Sequence, residues 1–216
     1  MNKKLILLLL LIGNTALAQP GTDWMLKENS DGIRIYTRSV ENSKFKAIKV
    51  ECTLNCTLTQ LVFALMDIKG STRWLYHTSS NYLVKQVSPG DLYYYSMIEA
   101  PWPVTNRDFV AHLIISQNAA TRVVTLDASC NDPDLVPRKP GVVRITYSIG
   151  KWILIPLSAD HKVKIVYTVH ADPGGSIPAW LSNMVVTEGP LQSVKKLREC
   201  LQLPAYKNAK VTYIKE

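Results

Sequence analysis

The feature that most constrains this chain is a junction between a strand and a helix in its last third. Residues 162–171 alternate polar and apolar side chains, which is typical of a strand with one buried face. A proline and two consecutive glycines in residues 172–176 then end the strand and permit a tight reversal. Apolar side chains recur at helical spacing from Ile177 onward, after Ser176 as a candidate N-cap. The pattern predicts a terminal helix that lays a broad apolar face across a sheet.

The rest of the chain predicts one α+β unit without internal repeats. Its 216 residues, 47% of them hydrophobic, suffice for a single large core. A short helix is expected over residues 23–29, and a second helix over residues 58–66 has Thr57 or Thr59 as its cap. Alternating patterns predict strands over residues 33–37, 45–52, 82–87, 92–99, 109–116, 123–129, 142–155 and 163–171.

Gly189 and Pro190 interrupt the predicted C-terminal helix. The apolar stripe before them lies about a quarter turn from the stripe after them at 100° per residue. A proline removes a backbone hydrogen bond and bends a helix. We therefore expect one kinked helix, with two separate helices as the alternative.

A second block, residues 100–110, has the sequence Ala-Pro-Trp-Pro-Val-Thr-Asn-Arg-Asp-Phe-Val. Its Pro-aromatic-Pro element, the Asn-Arg-Asp-aromatic run, Trp74 and the junction described above together resemble the START family of StAR-related lipid-transfer domains. The chain looks most like the phosphatidylcholine transfer protein branch, over roughly residues 24–203. The resemblance implies a helix-grip fold, in which a curved antiparallel sheet wraps around a long C-terminal helix and leaves an internal hydrophobic cavity.

The ligand-binding residues are expected on the strand and helix faces that would line such a cavity. Trp102 is expected either at the cavity rim or in the core. The predicted set is Met97, Trp102, Phe109, Ala111, Leu113, Ile115, Tyr147, Tyr167, Trp180, Leu181 and Met184.

One departure from the family pattern bears on the ligand. Many relatives carry a cavity arginine six residues after the motif arginine, opposite an acidic residue on the preceding strand. Here these positions hold Leu113 and Met97. Because a buried charge needs a partner, losing both together is self-consistent. The resemblance therefore implies a more apolar tunnel without an ionic anchor.

The function implied by the resemblance is non-catalytic binding, with transfer, of a lipid or other hydrophobic ligand. One alternative is a helix-grip enzyme, cyclase-like or hydrolase-like, and another is an exported interaction domain with a filled core. The chain shows no Gly-x-Ser-x-Gly elbow or phosphate-binding loop, and its histidines lack metal spacing. We expect no enzyme activity, no cofactor and no metal, and a structural role for Arg107 and Asp108. The histidines are His77, His112, His161 and His170.

The N-terminus predicts export. Lys3 and Lys4 precede an apolar run over residues 5–12, and residues 16–18 offer a small-x-small cleavage site. We expect a cleaved signal peptide over residues 1–18, a single lipid-binding domain over residues 19–216, and a periplasmic or secreted protein. An uncleaved membrane tether is the alternative.

Charge and cysteine usage fit an exported protein. The net charge of +8 favours anionic partners such as membrane surfaces, although a merely solvated surface explains it equally well. The basic residues are scattered, so nucleic-acid binding is not expected. Export permits disulfides, yet buried free thiols are the favoured state of Cys52, Cys56, Cys130 and Cys200.

Ligand entry requires something to open. The proline-rich loop over residues 131–141 corresponds to the loop that closes over the tunnel in relatives. This loop and the helix segment over residues 177–186 are therefore the predicted gate, with an inert surface loop as the alternative.

Overall fold

The computed structural model describes residues 23–157, 161–177, 181 and 184–216, and for residues 184 and 185 it describes the backbone alone. The predicted signal peptide lies outside the described residues. Within the described ranges, ten strands form one sheet. They are β1 (Met25–Ser30), β2 (Ile33–Arg38), β3 (Ala47–Asn55), β4 (Thr78–Ser88), β5 (Asp91–Ile98), β6 (Arg107–Gln117), β7 (Val124–Ser129), β8 (Val143–Arg144), β9 (Tyr147–Leu157) and β10 (Lys162–Asp172).

The sheet is antiparallel apart from one short strand. Its order is β1-β2-β3-β10-β9-β7-β6-β5-β4, and β8 pairs in parallel with β6. The last strand, β10, pairs with the early strand β3. The strand predicted over residues 142–155 is two strands, because the chain pairs with β6 up to Arg144 and begins β9 only at Tyr147.

The helix expected over residues 23–29 is wrong, because Met25–Ser30 form strand β1. β1 pairs antiparallel with β2 across a two-residue turn. Asp31 and Gly32 occupy this turn with φ values of 53° and 71°. Two consecutive positive φ values give the type I′ turn whose twist matches a hairpin, and Asp-Gly is a favoured sequence for it. This dipeptide is the local signal for the hairpin.

Helix α1 (Leu58–Met66) begins at a capping box. The Thr57 hydroxyl accepts a hydrogen bond from the Gln60 backbone N–H, and the Gln60 side chain accepts one from the Thr57 N–H. Thr57 is therefore the cap, rather than Thr59. A 3₁₀ helix (Gly70–Arg73) follows and leads to Trp74.

The C-terminal helical segment changes register instead of breaking. A π-helical turn (Met184–Glu188) passes directly into α2 (Gly189–Cys200), and a short α3 (Pro204–Lys207) follows. Pro190 follows this π-helical turn, and a proline cannot donate the backbone hydrogen bond that continues a regular α-helix. Helical backbone is thus continuous over residues 184–200, without the loop that two separate helices would require.

Helix α2 packs on β2 and β3 through a buried stripe that includes Val194 and Leu197. This stripe joins α1 and the inner face of the sheet in one hydrophobic core. The α+β arrangement predicted from the sequence is confirmed. The remaining space between the sheet and the segment before α2 is where the candidate site lies.

Candidate ligand-binding site

A cavity of about 400 Å³ lies between the inner face of the sheet and the C-terminal helical segment. Strands β3, β5, β6, β9 and β10 contribute its walls. Ile177, Leu181 and Val186 border it from the helical side. Its volume falls in the range of small-molecule sites, about 300–1,000 Å³.

A smaller cavity of about 160 Å³ adjoins the first. Leu65 and Ile68, at and beyond the end of α1, line it together with Tyr94, Ala111 and Leu113 of β5 and β6. The two cavities have a common wall, so they form neighbouring compartments of one interior space. The residues that line both are Trp74, Leu75, Phe109, Ser148, Trp152, Tyr167 and Val169.

Aromatic rings build this common wall. Trp152 and Tyr167 are cross-strand partners on β9 and β10, and their rings stack at 4.2 Å between centroids. Trp74 meets Trp152 edge-on at 6.4 Å, and Tyr94 meets Phe109 edge-on at 5.8 Å. Such pairs stabilise by about 0.5–1.5 kcal/mol beyond their buried area, so they strengthen the wall between the compartments.

The structure places five of the predicted site residues in the cavity walls. Phe109 and Tyr167 line both compartments, Ala111 and Leu113 line the smaller one, and Leu181 lines the larger one. Their contact with a ligand stays a prediction. Trp180 lies outside the described residues, as does the side chain of Met184.

Trp102 was expected at the rim or in the core, and it is in neither. It is 91% exposed, on the turn between β5 and β6, with Pro101 before it and a cis peptide bond to Pro103 after it. It lines neither cavity among the described residues.

Met97 and Tyr147 were assigned to the wrong face of their strands. On β5 the inward side chains are those of Tyr94, Ser96 and Ile98, so Met97 points outward and lies opposite Asp108 in register. Because side chains alternate, an error of one position reverses the face. The resemblance implied that Met97 faces Leu113 across the cavity. The outward orientation of Met97 excludes this arrangement.

The alternation of side chains along β9 also corrects the assignment of Tyr147 to the cavity. Ser148, Gly150 and Trp152 face the cavities, whereas Tyr147 is 44% exposed and packs edge-on against His170. Trp152 is the main wall residue that the sequence prediction missed. Its inward face follows from its pairing with Tyr167, which was predicted correctly to lie in the cavity wall.

Ile115 shares the inner face of β6 but lies beyond the end of both cavities. It packs against the hydrophobic core, and a Cβ on Gly90 would come within 2.4 Å of its Cγ2 atom. Ile115 thus packs beside the turn between β4 and β5, and it is not part of the described lining of either cavity.

The expectation of a more apolar tunnel without an ionic anchor does not hold for the larger cavity. Arg107, the first residue of β6, lines this cavity and is only 5% exposed. Lys46 and His77 are the other basic residues in its described lining, which includes no aspartate or glutamate. The smaller cavity has no charged side chain in its described lining, so the apolar expectation holds there.

Asp108 points away from the cavity and has its own partner. It forms a buried, bidentate ion pair with Arg144, with distances of 2.7 Å to Nε and 3.0 Å to Nη2. The Tyr95 hydroxyl donates a third hydrogen bond at 3.0 Å. Burial would raise the pKa of Asp108, but the hydrogen bonds from Arg144 and Tyr95 outweigh it and the pKa lies below its ordinary value. Arg107 and Asp108 lie on opposite faces of β6, as expected for neighbours in a strand.

Arg144 also holds the proline-rich loop over residues 131–141. Its guanidinium donates to the backbone carbonyls of Pro133, Val136 and Pro137. No residue of the loop is in the described lining of either cavity. The loop is therefore fastened to the outer network, which does not support it as one side of the gate.

The segment between β10 and the helix does border the larger cavity. Pro173 and Ile177 line it, and Gly174 and Gly175 have φ values of 67° and 61°. A side chain at either glycine would be strained in this conformation. This segment thus remains the candidate for the mobile wall.

The histidines are engaged in local contacts. His112 Nε2 lies 2.6 Å from an Asp91 carboxylate oxygen, and the His170 ring nitrogens contact the hydroxyls of Tyr147 and Ser43. Asp172, two residues after His170, accepts a hydrogen bond from the Gly174 backbone N–H in the turn after β10. Among the described residues, no cluster of three potential metal ligands is present.

The four cysteines are buried free thiols, as favoured from the sequence. Burial raises the pKa of Cys130, at the cavity wall, to about 11 and that of Tyr167 to about 12. Both groups are therefore protonated at neutral pH and poorly suited to act as nucleophile or base.

In the described part of the chain, no helix is long and apolar enough to cross a membrane.

Comparison with known proteins places this geometry in a family. An uncharacterized protein of Pseudomonas aeruginosa is 34% identical over 192 residues, which cover 88% of this chain and 91% of that protein. Human phosphatidylcholine transfer protein is 29% identical over 189 residues, 86% of each chain. The crystal structure of a STAR-related lipid transfer protein from Xanthomonas axonopodis, 33% identical, matches with a TM-score of 0.75 over 83% of this chain and 99% of that fragment.

These matches confirm the predicted helix-grip fold, an antiparallel sheet with a C-terminal helix. A model of the START domain family matches residues 14–207, nearly the whole chain. The chain therefore belongs to the START domain family.

Proposed function

We propose that this protein binds a lipid or a similar hydrophobic molecule in its internal cavity and transfers it between membranes, without catalysis. The cavity of about 400 Å³ carries the proposal. Protein interiors are close-packed, and unfilled interior volume is destabilising. A space of this size, walled by aromatic and aliphatic side chains, is best explained as the place of a ligand.

The family relationship supports a lipid as that ligand. Two of the similar proteins are named as a phosphatidylcholine transfer protein and a lipid transfer protein. The space between the sheet and the helix disfavours the alternative of an exported interaction domain with a filled core.

A helix-grip enzyme is the weaker alternative. His77 borders the larger cavity, but its ring packs against Tyr76 and no described carboxylate orients it. The tyrosine and cysteine at the wall are protonated at neutral pH because burial raises their pKa values. General acid–base catalysis needs a group whose pKa lies near the working pH.

Transfer requires contact with a membrane, for which Trp102 is suited. Its side chain is exposed to solvent, and Ala100, two residues earlier, lines the cavity. Tryptophan favours the interface between water and lipid.

We also propose that the protein acts outside the cytoplasm, after removal of residues 1–18.

The cavity is tested by filling it. Ala171 lines the larger cavity, so Ala171→Trp is expected to abolish lipid uptake, whereas Ala119→Trp adds the same bulk to an exposed turn. Each variant is incubated with vesicles of the host's lipids and examined by native mass spectrometry. Wild type and Ala119→Trp should carry a lipid-sized adduct that Ala171→Trp lacks. No adduct on wild type, or equal adducts on all three, would contradict the proposal.

A further inference from the structure

Arg107 is a buried charge in the described lining of the larger cavity, and lipid binding by apolar contact does not explain it. It begins β6 and is 5% exposed. Alternation along the strand puts it on the same face as Phe109 and opposite to Asp108. The neighbouring carboxylate is therefore unavailable to it, because Asp108 faces outward and is occupied by Arg144.

The hydrogen-bonding capacity of Arg107 is largely unused. A guanidinium offers five N–H donors. Among the described residues it finds one acceptor, the backbone carbonyl of Thr105, and its Nε has none. The backbone of the turn between β10 and the helix lies against it, since a Cβ on Gly175 would sit 3.9 Å from Nη2.

The charge of Arg107 is also unbalanced. The described lining of the cavity contains the cation Lys46 and no carboxylate. Burial lowers the pKa of Arg107, yet a guanidinium remains charged at neutral pH. A buried charge without a partner is strongly unfavourable, and it persists where something else supplies the counter-charge.

We propose that Arg107 binds the anionic head of the ligand, so that the natural ligand is an acyl lipid ending in a carboxylate or a phosphate. This inference rests on the proposed function. The head lies beneath the turn at Gly174 and Gly175, and the acyl chain extends past Phe109 along the aromatic wall toward the uncharged smaller cavity. A guanidinium recognises both oxyanions through paired N–H donors.

The test compares ligands that differ only in head charge. Dibromostearic acid and its methyl ester quench tryptophan fluorescence when their bromine atoms approach Trp74 and Trp152. Wild type is expected to bind the acid about tenfold to a hundredfold more tightly than the ester, the range for hydrogen bonds to a charged group. Arg107→Gln should lose this preference and keep its affinity for the ester, and Arg107→Lys should retain part of it.

Arg138→Gln is the matched control, because Arg138 is an exposed arginine of the loop over residues 131–141, which lines neither cavity in the described part of the chain. It is expected to leave the preference for the acid unchanged. Equal affinity of wild type for acid and ester overturns the proposal, and so does a preference that survives Arg107→Gln. If Arg107→Gln fails to fold by circular dichroism, the wild-type ligand pair and Arg107→Lys decide the matter.

Two further measurements distinguish recognition of a lipid head from binding of small anions and from a failure of lipid binding. Acetate and inorganic phosphate are added as competitors at the concentration that saturates with the acid. They should not displace it, and displacement by either would mean a site for small anions, which also overturns the proposal. Failure of the general lipid-binding function has a different signature, because then neither the acid nor the ester quenches.

Discussion

Replacing Asp108 by alanine should destabilise the protein far more than any surface carboxylate would. Asp108 and Arg144 are each 1% exposed at the side chain and are joined at 2.7 Å. They lie directly opposite each other on the parallel pair of β6 and β8. Removing one partner of a buried ion pair leaves the other charge uncompensated, which costs about 3–5 kcal/mol.

The magnitude translates into measurable transitions. For a chain of this size, about 1 kcal/mol shifts the melting temperature by about 2–4 °C, so Asp108→Ala should melt about 6–20 °C below wild type. Urea unfolding, followed by tryptophan fluorescence, gives the free energy directly. Because Arg144 also holds the carbonyls of Pro133 and Val136, hydrogen exchange in residues 131–141 should rise in the same variant.

The contribution of this ion pair to the free energy of unfolding depends on pH in a defined direction. The pKa of Asp108 is lowered in the folded protein, so the ion pair contributes stability above the ordinary pKa of aspartate, about 3.9. That contribution disappears as the pH falls through the lowered value. The difference between wild type and Asp108→Ala should therefore be constant near neutrality and shrink in strong acid.

Asp134→Ala is the matched control, because its ion pair with Arg138 is exposed, at 73% and 55% of the two side chains. It should cost less than about 1 kcal/mol. The double variant Asp108→Leu with Arg144→Met should recover much of the loss, since apolar replacement of a whole buried pair is often neutral. A loss below about 1 kcal/mol for Asp108→Ala, or equal losses for both aspartates, would refute this reasoning.

Two further predictions concern the membrane and export. Trp102→Ala should slow transfer of a fluorescent lipid between vesicles by about an order of magnitude, because burial of one large side chain is lost, with solution affinity unchanged. Leu135→Ala, which removes another exposed apolar side chain, should have little effect, and equal slowing by both variants would speak against a specific contact. Protein recovered from outside the cytoplasm of its host should begin at Gln19 on N-terminal sequencing, whereas a chain still beginning at Met1 would exclude a cleaved signal peptide.

Local patterns in the sequence were sufficient for several elements. Thr57 and Gln60 form a capping box from backbone and side-chain groups only three residues apart, so the start of α1 is predictable. The turn after β10 requires glycine at two positive φ values, and Gly174 and Gly175 supply it. The hairpin at Asp31 and Gly32 is equally local, and the Asp-Gly turn, not the weak helical pattern of residues 23–29, determines the structure there.

The cavity could be predicted only in part, because alternation gives the two faces of a strand but not which one turns inward. Phe109, Ala111 and Leu113 lie in the cavity wall, on the face that the alternation of a long apolar strand indicated. Met97 and Tyr147 were assigned to the wrong face, since their strands are apolar on both sides and their pairing decides the orientation.

The sequence by itself determined the α+β fold, the strand-to-helix junction and the family, because these depend on periodicity, turn residues and motifs within short stretches of chain. The tertiary structure alone decided which charges are paired. Arg144 follows Asp108 by 36 positions and neutralises it on the outer face, while Arg107, next to Asp108 in sequence, faces the cavity without a described carboxylate. The physical reason is that strand pairing sets the distances between side chains remote in sequence, and the Coulomb energy of a buried charge depends on those distances.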